Sequence, residues 1–280
     1  MIVQITQTRN ELYLIKEMLP LWQKYADGFV FLDDHSDDGT SEFLEEHKDE
    51  YNILAVLKTE GPGAATYAES GGRQRLFDEA LKHSGNIICM DSDEYLDGNI
   101  NKAQLEHLLE SNPDTLIYLR WVQYTGKDRI RVDGPWRENY KDRIGSYSKP
   151  TKFKDAAMHA EHIPHPGKHG VIGVPDLFIA HLQWLDKPTV AVKQYYWKIV
   201  DYVNNKKYQI ETTPASAYDE SVANFEWEYE DFSFPLKVDP EIYSTQDLED
   251  SYKYKFIKNS IKEYDIPNLY DWEMEIHDSK

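Results

Sequence analysis

An α/β fold, with helices on the faces of a sheet and a mainly helical C-terminal appendage, is predicted by three observations. Short apolar runs alternate with segments of helical period over residues 1–100, the pattern of a parallel sheet wound with helices. The alternation fades after Gly98. A helix is expected at Pro188–Val203, and from Asn204 onward the chain is acidic and Tyr-rich with weak periodicity apart from a helix at Thr245–Tyr264.

The elements follow in order. Met1–Thr6 has the composition of a buried strand, and Asn10–Tyr25 places Leu12, Ile15, Leu19 and Trp22 at helical spacing. Gly28–Leu32 is a second strand, ending at Asp33-Asp34. Ser41–His47 is a helix with Thr40 or Ser41 as its cap and Glu42, Glu45 and Glu46 along it. Ile53–Leu57 is a third strand. Gly72–His83 is a helix with Leu76, Ala80 and Leu81 on one side, and Asn86–Met90 is the fourth strand. Beyond them Thr115–Gln123 and Asp176–Trp184 are strand-like, and Gly126–Ser148 is polar and turn-rich. Pro188–Val203 is a helix with Val192, Tyr195, Tyr196 and Ile199 on its apolar side. These boundaries give one domain over 1–185, in two halves at 1–100 and 101–185, and an extension over 186–280.

Composition narrows the function. The 280 residues include 20 Tyr, 10 Phe and 7 Trp, enough apolar material for a sizeable core. Fifty acids against 31 bases give a formal charge of −19. That sign opposes nucleic-acid or anionic-membrane binding, which need a positive field. An anionic substrate must then be held by a local basic cluster or a metal ion. The single cysteine, Cys89, lies in an apolar strand and predicts a buried, inert thiol. No run approaches the roughly 20 apolar residues of a membrane span, and no signal segment is recognisable, so a cytoplasmic location is expected.

In sheets of this class the ligand crevice lies beyond the carboxyl ends of the strands. Thr8 and Arg9, Asp33-Asp34, and Asp91-Ser92-Asp93-Glu94 all fall there. Three acids in four residues repel one another unless something positive joins them, and a divalent ion carrying a diphosphate satisfies that condition. Hard carboxylate oxygens suit Mg²⁺ or Mn²⁺. Each segment alone is more simply a solvated, capped turn.

Together, in order, they resemble a known family. Gln7-Thr8-Arg9-Asn10-Glu11 stands where family 2 glycosyltransferases of the GT-A fold have P-T-Y-N-E. Asp33–Thr40 is similar to D-D-x-S-x-D-G-T, Gly71–Leu81 to the arginine-bearing helix, and Asp91–Asp93 to the D-x-D. The likeness is close over residues 1–100 and fragmentary to about 185. It implies a Rossmann-like mixed sheet flanked by helices, with 1–100 as the nucleotide-binding half and 101–185 as the acceptor side. It also implies an inverting, metal-dependent transfer from a nucleoside-diphosphate sugar to a carbohydrate or glycoconjugate acceptor. Thr8, Glu11 and Asp34 would bind the nucleoside, Asp34 at the base. Arg73 would lie near the nucleotide, with Arg75 its rival. Asp91 would hold ribose or metal-bound water, and Asp93 would ligate Mn²⁺ or Mg²⁺. Gln7 for Pro and Arg9 for Tyr are departures that bear on base contacts.

The second half offers further candidates. His181, within Ile179–Leu182, resembles the downstream histidine of the metal shell in some GT-A enzymes, although a core histidine is the alternative. His159, His162, His165 and His169 lie close together, but Pro164 and Pro166 break the helix a zinc site of that spacing needs. Glu161 among them resembles the acceptor-side acid that serves as general base, ahead of Asp155 and Asp176. Trp121, Tyr124, Trp136 and Tyr140 flank the basic stretch Lys127–Arg143 with Arg129, Arg131, Arg137 and Arg143. Sugar stacking and anion pairing explain them, and so do core packing and surface salt links. The acidic C-terminal third carries no recognisable chemistry. Two other functions fit parts of the pattern: a sugar-phosphate nucleotidyltransferase, against which Gln7–Glu11 lacks a glycine, and a non-catalytic nucleotide-sugar-binding module.

Overall fold

Four parallel strands form the first half of the sheet: β1 (Val3–Thr8), β2 (Gly28–Asp33), β3 (Ile53–Lys58) and β4 (Asn86–Cys89). The structure is a computed structural model describing residues 1–61, 69–126, 128–156, 160–167, 171–208, 227–236, 238, 241–243 and 247–264, by backbone alone for 206–208. Helices α1 (Leu12–Trp22), α2 (Thr40–Glu46), α3 (Lys48–Tyr51) and α4 (Glu69–Ala80) accompany these strands. The chain continues through β5 (Glu94–Gly98), α5 (Lys102–Ser111), β6 (Thr115–Gln123), β7 (Arg129–Arg131), β8 (Tyr140–Ser146) and β9 (Val171–His181). It then enters α6 (Lys187–Tyr208), β10 (Tyr229–Asp231) and α7 (Tyr252–Tyr264). The order across the eight-stranded sheet is β3-β2-β1-β4-β8-β6-β9-β5, and β7 and β10 make a separate antiparallel pair.

The alternation of strand side chains decides which helix packs where. Phe29 and Phe31 of β2 join Leu14, Ile15, Met18, Leu19 and Trp22 of α1 on one face. Val30 and Leu32 point the other way, with Val3 and Ile5, onto Leu76, Phe77 and Ala80 of α4. Both sides are buried, as a parallel sheet requires. The expected mixed sheet flanked by helices is therefore present.

Four strands went unpredicted, the short pair β7 and β10 and two strands of the main sheet. Tyr140–Ser146 lies inside the stretch read as turn-rich, because Lys141, Asp142 and Arg143 hide its period; tertiary partners, not hydrophobicity, stabilise it between β4 and β6. Glu94–Gly98 reads as an acidic turn but forms the far edge strand, pairing antiparallel with β9 from Glu94↔His181 to Gly98↔Leu177. The short connection Met90–Asp93 thus carries the chain over the carboxyl ends of the sheet from β4 to its edge. The strand expected at Asp176–Trp184 starts earlier, at Val171, and gives way at Leu182–Leu185 to a 3₁₀ turn.

The helix at Thr40 is capped differently from expectation. Neither Thr40 nor Ser41 caps it; the Asp38 carboxylate accepts from Thr40 N (3.0 Å) and Thr40 Oγ1 (2.6 Å). Its other oxygen accepts from Leu12 N at 3.1 Å, so one acid satisfies the open starts of two helices.

The C-terminal helices α6 and α7 pack on each other through Val192, Ile199 and Val203 against Tyr254, Ile257 and Ile261. Phe234, Val238, Ile242 and Tyr243 join the main core. The helix expected from Thr245 begins at Tyr252, after turns at Asp247–Ser251; residues 244–246 lie outside the described residues. Among the described residues no helix is long and apolar enough to cross a membrane.

Candidate active site

At the end of β1 the chain turns through Asn10 at φ 52°, and after β2 through His35 at φ 60°, residue types that tolerate the left-handed region. Asn10 locks the two loops together: its Nδ2 donates to Asp37 Oδ1 (2.7 Å), its Oδ1 accepts from Asp37 N (2.8 Å), and its N donates to Ser36 Oγ (2.9 Å). Held this way, Thr8 Oγ1 lies 3.5 Å from Glu11 Oε2, and Asp34 N donates to Thr8 O at 2.9 Å. Asp34 is buried and pairs with Arg9 at 3.4 Å, whose guanidinium sits over the Tyr252 ring at 5.0 Å. The three expected nucleoside residues are therefore neighbours.

The two acids of the D-x-D face different partners. Asp93 is 7 % exposed, and its Oδ2 meets Lys193 Nζ at 2.7 Å and His181 Nε2 at 3.4 Å. Burial opposes its ionisation, but Lys193 and then His181 outweigh that and hold the carboxyl well below the usual range. Asp91, with 41 % of its side chain exposed, meets Arg143 Nη2 at 3.0 Å and His162 Nε2 at 3.5 Å. Burial again opposes ionisation, and Arg143, Arg73 and Lys193 hold this carboxyl low as well. Glu94, fully buried, shares the Arg143 guanidinium at 2.6 Å and accepts from Trp121 Nε1 at 2.7 Å. Burial pushes its carboxyl up against the pull of Arg143, with Asp91 adding to the rise.

The tautomer of His181 follows from its neighbours. Gln123 Oε1 accepts from Trp184 Nε1, which can only donate. That same oxygen lies 2.7 Å from His181 Nδ1, so Nδ1 carries a proton and donates to it. Nε2 is then the nitrogen that faces Asp93, donating to the carboxylate from the charged ring or offering a lone pair from the neutral one, with Gln123 fixing the orientation of the imidazole. Carboxylate oxygen and imidazole nitrogen converging in this way fit a divalent ion completed by substrate phosphates, as is usual for Mg²⁺-type sites. Among the described residues no three acidic, histidine or cysteine side chains form a ready-made metal cluster. His159 and His169 lie outside the described residues.

A cavity of about 400 Å³ opens between the loops after β1 and β2 and the C-terminal helices. Glu11, Asp93, Lys193 and Lys253 line it, and Lys253 Nζ pairs with Glu11 at 3.3 Å. Arg73 lies outside this cavity, buried beneath the D-x-D, paired with Glu69 at 2.7 Å and 3.7 Å from Cys89 Sγ. Arg75 is exposed and binds Lys58 O at 2.8 Å. Cys89 is buried, as expected, and burial pushes its thiol up to about 11.

Glu161 also lies outside the cavity, in an ion pair with Lys154 at 2.7 Å; the histidine beside it, His162, is the one that meets Asp91. Asp155 faces Ser70 at 3.5 Å. Asp176 sits five residues before His181 on an extended strand, roughly 17 Å from it, which removes it as a base at this crevice. Of the basic stretch, Arg131 is buried against Trp136, Trp184 and Trp227, with its guanidinium 4.3 Å from the Trp184 ring centre. Tyr124 packs on Phe234, Trp121 stacks on His181 at 4.4 Å, and exposed Tyr140 stacks on Tyr118. Packing thus accounts for most of this region, while Lys127 lies outside the described residues.

Sequence reasoning missed Gln123, Lys193 and Lys253, which no motif marks. It named Arg143 in the basic stretch and Glu94 in the acidic run, but not their pairing with each other.

No family model matches the chain, and no curated protein matches it in sequence. Solved structures do overlap it. TarS of S. aureus in complex with UDP is 15 % identical, covering 99 % of this chain and 88 % of its own, with a TM-score of 0.41. The mannosyltransferase PcManGT of Pyrobaculum calidifontis, in complex with GDP-Man and Mn²⁺, is 13 % identical over 96 % and 87 %, TM-score 0.39. The glucosyl-3-phosphoglycerate synthase of Mycobacterium tuberculosis, with Mn²⁺, UDP and glucosyl-3-phosphoglycerate, is 17 % identical over 45 % of each chain, TM-score 0.28. In the order of its motifs and its helix-flanked mixed sheet, the chain resembles the glycosyltransferases of the GT-A fold.

Proposed function

We propose that the protein transfers a sugar from a nucleoside-diphosphate sugar to a carbohydrate-type acceptor, with a divalent ion, Mn²⁺ or Mg²⁺, and inversion at the anomeric carbon. The observation that carries this reading is the meeting of Glu11, next to Thr8 and Asp34, with Asp93 and its partner His181 at one crevice. Thr8, Glu11 and Asp34 bind the nucleoside. Asp93 and His181 hold the ion, and Asp91 takes ribose or a metal-bound water. The ion, when bound, neutralises charge on the departing diphosphate.

The acceptor hydroxyl oxygen attacks the anomeric carbon from the face opposite the diphosphate. The new carbon–oxygen bond forms as the old one breaks, and the electron pair leaves on the phosphate oxygen. Glu161, paired with Lys154 and next to the His162 that meets Asp91, receives the hydroxyl proton. Arg73 steadies the charge of the D-x-D from below.

The test is a thermal-shift panel of UDP, GDP, ADP, CDP and dTDP and their sugars, with and without Mn²⁺. One base should stabilise the protein in a Mn²⁺-dependent way, by mass action. A flat panel rejects the reading. With the base known, release of nucleoside diphosphate on addition of acceptor separates transfer from mere binding, and Glu161→Gln should depress that release without weakening donor binding.

A further inference from the structure

The geometry points to Lys193 and Lys253, on the two C-terminal helices, as the cationic clamp that receives the donor's diphosphate. The inference rests on the donor-site reading above and assigns chemistry to a region without a motif. The crevice wall is acidic: Glu11, Asp37, Asp38 and Asp93 all line the cavity. A diphosphate adds further negative charge, and in a chain of net charge −19 the wider field offers it no help. Among the described residues lining the cavity, Lys193 and Lys253 are the basic ones.

Each ammonium now rests on a carboxylate belonging to the site, Lys193 on Asp93 at 2.7 Å and Lys253 on Glu11 at 3.3 Å. Both side chains keep partial exposure, 22 % and 19 %, and both have flexible stems with three donors. They can therefore exchange a carboxylate for a phosphate oxygen without moving a helix. The helices are fixed to each other by Ile199, Val203, Ile257 and Ile261. Tyr252, next to Lys253, lies under Arg9, which pairs with Asp34. Lys193 neutralises the oxygen that His181 Nε2 also faces; with donor and ion present, that oxygen is released and the ammonium pairs with phosphate.

Two measurements test this on the full chain. With Mn²⁺ present, Lys193→Met and Lys253→Met should each raise the Kd of the preferred nucleoside diphosphate by roughly tenfold or more, as loss of a charge-assisted hydrogen bond does. Lys193→Arg and Lys253→Arg should retain most of the affinity. With Mn²⁺ alone, followed by the electron paramagnetic resonance signal of the free ion, Lys193→Met should bind more tightly than wild type, because the competing ammonium is gone. Wild-type nucleotide affinity in the methionine variants, or unchanged or weaker Mn²⁺ binding in Lys193→Met, overturns the clamp. Should either methionine variant fail to fold, the arginine variants decide: affinity lost with the charge retained overturns it too. If wild type binds Mn²⁺ and none of the five nucleoside diphosphates, the donor-site reading itself falls.

Discussion

Asp91 and Asp93 stand two residues apart and live in opposite surroundings. Asp91 is gripped by the sheet itself, through an Arg143 that is 1 % exposed and shared with buried Glu94. Asp93 is gripped by a lysine from a C-terminal helix and by a histidine whose ring is oriented from behind. One acid belongs to a buried ionic framework; the other holds a partner that can leave. The difference separates the residue that shapes the connection across the sheet from the residue free to do chemistry.

The largest effect expected from this contrast is on transfer. Asp93→Asn should lower it by roughly 10³-fold or more, since an electrostatic group at the departing charge is removed, while the melting profile stays cooperative. Donor turnover with Mn²⁺ checks it, and near-wild-type turnover would break the assignment. Next is stability. Arg143→Met leaves Glu94 and Asp91 unpaired and should cost about 3–5 kcal/mol, read from the urea midpoint. By contrast Lys193→Met, whose ammonium is partly exposed and whose partner Asp93 keeps His181, should cost less, about 1–3 kcal/mol.

Acid sensitivity sharpens the same comparison. Both carboxyls titrate lower in the folded protein than in the unfolded chain. Between the two values the unfolded chain binds more protons, so their stabilisation is present above about pH 4 and is lost as pH falls through the folded values. Unfolding midpoints measured from pH 6 down to pH 2.5 should fall steeply in wild type and less steeply in Asp93→Asn. Equal slopes would mean that the Lys193 and His181 contacts contribute nothing to folding.

Legibility differed along the chain for physical reasons. Strands β1 to β4 are buried on both faces, so their apolar runs stand out, and the helices between them carry the 3.6 period. The strand-end acids were readable because the topology sends those loops to one edge. Strands β5 and β8 were not, because Glu94, Asp97 and Arg143 are buried charges made tolerable by partners far away in sequence. Asp97 Oδ2, for example, accepts from Leu236 N at 2.8 Å. The base candidates were ranked without knowing how far an extended strand carries Asp176 from His181.

By itself the sequence determined the α/β class, the wound first half, the inert Cys89 and the acids at the strand ends, all of which follow from local periodicity and composition. Only the tertiary structure decided which cation each acid meets, which nitrogen of His181 faces Asp93, and that two lysines of the C-terminal helices line the crevice. Those are outcomes of long-range charge pairing and packing, and a carboxylate in a sequence carries no mark of the partner that will neutralise it.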